Sequence, residues 1–109
     1  MKSKSENENM LLIPSKKKGE SKVNITFRNE LTIFSIEDIK DKVVNAVTTN
    51  DQIDFVLKDV KNMDLSFIQL IYSIKLTAKK YNKKVSFNIS LSDDLMNLFI
   101  NSGLGKLFE

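Results

Sequence analysis

From Val23 onward, apolar positions recur with two different periods, and the switches between them mark out the elements. VNITF, Val23 to Phe27, alternates apolar and polar residues and predicts a strand. Asn29 and Glu30 read as a turn and LTIF, Leu31 to Phe34, as a second strand, so the short connection predicts an antiparallel hairpin. Ser35 then offers a capping hydroxyl, and Glu37 and Asp38 suit the positive end of a helix dipole. Ile36, Ile39, Val43, Val44 and Val47 repeat at helical spacing as far as about Thr48. IDFVLKDV, Ile53 to Val60, is almost continuously apolar, as a central strand is. A second helix follows from about Ser66 to Tyr81. KKVSFNIS then returns to alternation, with Val85, Phe87 and Ile89 on one face and Ser86, Asn88 and Ser90 on the other. A third helix opens at Ser92, backed by Asp93 and Asp94, and is stopped by Gly103.

The predicted order is β-β-α-β-α-β-α. Strands separated by helices pair in parallel through right-handed crossovers, and the leading hairpin adds an antiparallel edge. The fold class is therefore α/β, with a small mixed four-stranded sheet. Because two strands carry polar residues at alternate positions, part of one sheet face meets water, and the helices are expected mainly on the other.

A chain of 109 residues supports one core and one domain. Residues 1–22 read as a disordered lysine-rich tail and residues 23–109 as the domain. The apolar island from Met10 to Ile13 is too brief for a signal-peptide core or a membrane span, so the expected compartment is the cytoplasm. The net charge of +3 sits entirely in the tail, where six lysines face three glutamates; the rest holds eleven basic and eleven acidic residues. A neutral domain offers no basic groove for nucleic acid, and the tail lacks the amphipathic spacing of a membrane anchor.

The chain has no Cys and no His. Disulfides, thiolate metal sites, cysteine nucleophiles and the commonest general base all fall away, and no metal or cofactor is expected. No phosphate-cradling glycine loop speaks for a nucleotide sensor. The acids Asp59, Asp64, Asp93 and Asp94 fall at turns and helix starts, where capping accounts for them, so an enzyme is not expected.

One acid and one hydroxyl stand in the otherwise apolar run MDLSFIQLI, Met63 to Ile71. Ser66 followed by Gln69 spells a capping box, and Asp64 just upstream adds favourable charge to the same helix end. No G-x-S-x-G elbow surrounds Ser66, so it is not a hydrolase nucleophile. In the helix that follows, Phe67, Leu70, Ile71, Ile74, Ala78 and Tyr81 share the core face, leaving Ile68, Tyr72 and Leu76 on an outward row. Either the first helix or the closing GLGKLF segment covers that row, or a partner docks there.

These stretches together, ELTIFSIEDIKDKVVNAV, IDFVLKDVKNMDLSFIQLIYSIKLTAKKYNKKVSF and LMNLFINSGLGKLF, resemble the STAS domain of anti-sigma-factor antagonists and sulfate-transporter tails. The likeness spans about Val23 to Phe108. It is most specific in D-x-[ST]-x-x-Q-L at Asp64, Ser66, Gln69 and Leu70, and in S-G-L-x-x-[LF] at Ser102 to Leu107. The opening and the glutamine are most similar to chemotaxis-associated bacterial members.

The resemblance implies that Ser66 is phosphorylated by a serine kinase or anti-sigma partner of the histidine-kinase-like ATPase fold, and that Asp64 shapes the site. A partner would then meet Asp64, Leu65, Ser66, Phe67, Ile68, Gln69, Tyr72 and Leu76. The chain departs from the family at Leu65 and Phe67, where a second serine and a glycine are common, and at Asn29, often glycine. The alternative within the resemblance is a non-phosphorylated STAS subunit of a chemotaxis or membrane-transport complex.

Overall fold

The computed structural model describes residues 5–15, 17, 19, 21–101 and 103. In chain order the elements are β1 (Ser5–Glu6), β2 (Met10–Pro14), β3 (Lys22–Leu31), α1 (Ile33–Thr49), β4 (Gln52–Met63), α2 (Leu65–Lys80), β5 (Lys84–Ile89) and α3 (Asp93–Asn101). The five strands form one sheet in sequence order. β1, β2 and β3 pair antiparallel, and β3, β4 and β5 pair parallel. The α/β class and the mixed sheet are as the sequence predicts, with a two-residue strand added at the edge.

The antiparallel hairpin lies elsewhere than expected. Residues 22–31 form one continuous strand, and its antiparallel partner is Met10–Pro14, with Met10 opposite Phe27 and Pro14 opposite Val23. Asn29 takes a left-handed conformation (φ 61°), but the chain does not reverse there: it lies opposite the stretch where β4 carries extra residues. Ile33 and Phe34, read as strand, are instead the first two residues of α1. The tail boundary moves accordingly. Met10 is fully buried and Leu12 nearly so, which places the island from Met10 inside the core. Of the other tail and terminal motifs, Lys2, Lys4, Lys16, Lys18, Ser102 and the run from Leu104 to Phe108 lie outside the described residues.

The helices cover one face of the sheet. Val23, Ile25 and Phe27 of β3 and Ile53, Phe55 and Leu57 of β4 are buried beneath them, while Asn24, Thr26, Gln52, Asp54, Ser86 and Asn88 remain accessible on the other side. Three rings cross the covered face. Phe27 stacks on Phe55 with centroids 5.8 Å apart, and Phe55 on Phe87 at 5.2 Å. Phe67 of α2 meets Phe27 edge-on at 5.0 Å. The third helix begins as predicted, with the Ser92 hydroxyl accepting from the Leu95 N–H.

On the open face the Asp54 carboxylate joins three strands: Ser86 of β5 donates to it at 2.6 Å and Lys22 of β3 lies 3.1 Å away. Partial burial pushes its pKa upward, but the bonds from Ser86 and Lys22 and the lysine charge outweigh this and hold it below its ordinary value. A carboxyl depressed in the folded state stabilises the fold above its unfolded pKa, and that contribution disappears as pH falls through the folded one. In urea denaturation, wild type should therefore exceed Asp54→Asn by less than about 1 kcal/mol near neutrality, as solvent-screened pairs do. The gap should close in acid.

Candidate functional site

Two adjacent parallel strands end together, and a helix starts from each. Leu31 of β3 is in register with Met63 of β4, and the Asp64 N–H donates to the Leu31 carbonyl at 3.1 Å. Alignment at this end depends on two irregularities: β4 carries an extra residue relative to β3 between Phe27 and Asn29, and another between Asn29 and Glu30. Asp59 is left-handed in this stretch (φ 55°). The N-caps Thr32 and Asp64 thereby lie side by side.

Each helix start is satisfied by its own chemistry. At α1 the Thr32 hydroxyl accepts from the Phe34 N–H at 3.3 Å, while the Ser35 hydroxyl accepts from the Thr32 N–H at 3.1 Å and donates to the Glu30 carbonyl at 2.6 Å. This is a capping box with Ser35 as its third residue, not its cap. At α2 the cap is Asp64. One carboxylate oxygen accepts from the Ser66 N–H at 2.9 Å, and the other accepts from the Ile33 N–H, also at 2.9 Å, at the head of α1. A single carboxylate thus holds the first turns of both helices, favourably placed against two dipoles.

The capping box expected from Ser66 and Gln69 is therefore not the one the helix uses. Ser66 is the second residue of α2, half-buried, and its hydroxyl bonds to no group among the described residues. Gln69 lies one turn further on and is exposed. Since Asp64 already satisfies the helix start, the hydroxyl has no local structural duty.

Of the residues expected to meet a partner, two cannot do so from this fold. Phe67 and Ile68 are both fully buried. For Phe67 this agrees with the helical pattern, but Ile68 was expected on the outward row. The buried arc of α2 is wide because the helix touches α1 along one flank and β5 along another. What stays outside is a clean stripe at spacings of four, three and four: Leu65, Gln69, Tyr72 and Leu76. Leu65 and Leu76 are each 53% exposed and Tyr72 is 44% exposed.

The sequence reading missed two neighbours of this site, Ile33 and Phe34, which stand at the head of α1 with 57% and 90% of their surface accessible. The signal that finds them is Thr32 followed three residues later by Ser35, a box spelled with serine in the place of the usual Glu or Gln. Among the described residues no group of acids could hold a metal ion, and no helix is long and apolar enough to cross a membrane.

No family model matches the sequence, and no curated protein does. Solved structures do match the fold. The unphosphorylated form of the anti-sigma factor antagonist SpoIIAA superposes with a TM-score of 0.65 at 21% identity, covering 84% of this chain and 81% of that one. The phosphorylated form of SpoIIAA, a Bacillus cell fate determinant, gives 0.62 at 20% identity and covers 84% of each chain. The fold is that of a STAS domain.

Proposed function

We propose that this STAS domain is a phospho-regulated interaction module of the anti-sigma-factor antagonist type, acting in the cytoplasm and switched at Ser66. The observation that carries the reading is Ser66, half-buried at a helix start, with a hydroxyl that has no bond among the described residues. The likeness to a protein solved with and without phosphate supports it. Leu65, Gln69, Tyr72 and Leu76 form the accessible stripe beside that hydroxyl, and a serine kinase or anti-sigma partner would cover them. Such a protein is a regulator and not an enzyme.

The switch follows from charge. A phosphate on Ser66 adds roughly −1.5 to −2 charge next to the Asp64 carboxylate. The helix start tolerates the anion, because the positive end of the helix dipole faces it. A partner shaped to bury a neutral hydroxyl does not, since a buried unpaired charge is costly. Unmodified protein binds and modified protein lets go.

The test is affinity capture from host lysate with wild type, Ser66→Asp and Ser66→Ala side by side, followed by affinity measurement on the recovered partner. Ser66→Asp should bind at least about tenfold more weakly, a loss of about 1.4 kcal/mol, and Ser66→Ala should bind as wild type does. Because the hydroxyl caps nothing, Ser66→Ala should keep its stability within about 0.5 kcal/mol, so altered folding would not explain the result. Equal retention of one partner by all three forms would instead favour a constitutive STAS subunit of a chemotaxis or transport complex, docked through Leu65, Tyr72 and Leu76.

A further inference from the structure

At the end of the sheet where α1 begins there is an open depression of about 610 Å³. The turn at residues 7–9 forms one wall, and Glu30, Phe34 and Asp38 form the other. The turn is pinned, although it belongs to a stretch whose composition predicts disorder. The Arg28 N–H donates to the Asn9 carbonyl at 2.9 Å, and its guanidinium donates to the Glu8 and Asn7 carbonyls at 3.3 and 3.1 Å. The Asn29 amide also donates to the Glu8 carbonyl, and the Glu30 N–H to the Asn9 side chain at 3.1 Å. The groove is thus preformed, which lowers the ordering cost of binding.

Its chemistry is of two kinds. Glu8, Glu30 and Asp38 bring three carboxylates to the walls, and none of them forms an ion pair among the described residues. Among them stands Phe34, 90% exposed, next to Ile33, whose N–H donates to the Asp64 carboxylate. A free monomer gains nothing from an aromatic ring held in water at a helix start. An aromatic anchor beside acids with no ion pair among the described residues complements a guanidinium, which stacks on the ring face and donates to the carboxylates. The same acids repel phosphate backbones and acidic segments.

We propose that this groove docks a basic amphipathic segment of a protein partner, with an apolar residue against Phe34 and arginine or lysine against Glu8, Glu30 and Asp38. This rests on the docking role inferred above and names the chemistry of the partner. The contact lies beside Ser66 and extends the accessible stripe of α2 across to α1.

The test is an NMR amide titration of the full chain with two synthetic helical peptides that share their apolar residues. One carries arginines on its polar positions and the other carries glutamates. The arginine peptide should shift amides of residues 7–9, 30–38 and 64–66, with an affinity that falls as salt screens the carboxylates. Phe34→Ala and the double variant Glu30→Gln/Asp38→Asn should each weaken it at least about tenfold. Both replace exposed side chains, and a melting curve like that of wild type establishes that they fold. Equal binding of the glutamate peptide, shifts mapping to another face, or an unchanged Phe34→Ala would overturn the proposal. So would a dimer in sedimentation that Phe34→Ala abolishes, which would put a second copy in the groove. If the peptide fails while Ser66→Asp still releases its captured partner, the groove assignment falls alone. If the peptide docks while Ser66→Asp keeps its partner, the phosphoswitch falls alone.

Discussion

Replacing Phe67 with alanine should lower the folding free energy by about 3–5 kcal/mol, the cost of emptying a buried aromatic site. Phe67 is fully buried, and its ring meets Phe27 edge-on at 5.0 Å, next to the stack of Phe27 on Phe55. No neighbouring side chain refills that space without moving the sheet, because the rings on the three parallel strands pack in one row. Domains of this size have about 5–15 kcal/mol in total, so the variant should approach instability at body temperature. Urea denaturation measures the loss directly. Leu65→Ala, two residues away but largely exposed, should change stability by no more than about 0.5 kcal/mol and serves as the comparison. Weak partner binding by Phe67→Ala would then reflect a damaged core, whereas weak binding by Leu65→Ala would report a lost contact.

Asp64→Ala should cost about 2–3 kcal/mol, more than a single cap is worth, because two charge-assisted bonds at two helix starts disappear together. Asparagine separates the two contributions. Its one carbonyl oxygen can keep the Ser66 N–H or the Ile33 N–H, but its amide nitrogen cannot accept from the other. Asp64→Asn should therefore lose about half as much as Asp64→Ala in the same melting experiment. At roughly 4–8 °C per kcal/mol, the alanine variant should melt at least about 8 °C below wild type. If Ser66→Ala instead proved the more damaging of the two, the serine would be the true cap and its hydroxyl would not be free.

The parallel strands, all three helices and the covered sheet face were legible because each rests on a local pattern. Ile53 to Val60 reads as a nearly continuous apolar run, Val85 to Ile89 repeat every second residue, and Ile36, Ile39, Val43 and Val47 follow the helical period. The edge of the sheet was not legible. Its antiparallel strand consists of five residues, Met10–Pro14, set among charges, and pairing with β3 is a non-local event that leaves no mark on composition. Asn29 read as a turn residue, but an irregular strand pairing accepts its left-handed backbone as well as a turn does, and only the neighbour strand decides between them. The site was half legible for the same reason. Asp64 and Ser66 were found from their spacing, yet the second bond of the Asp64 carboxylate reaches Ile33, 31 residues away, and no local pattern announces it. Ile68 was misplaced because the width of a buried arc is set by the elements on either flank, and not by the helix itself.

β3 has a different kind of neighbour on each side: a long parallel strand that any reading of the pattern finds, and a short antiparallel one from the stretch that reads as tail. A chain shortened to the recognisable domain, beginning at residue 23, would lose that second neighbour. The backbone donors and acceptors of β3 from Val23 to Phe27 would face water as a bare apolar edge, a template for pairing with other copies. The segment ahead of the pattern is thus what keeps this edge of β3 from seeking strangers.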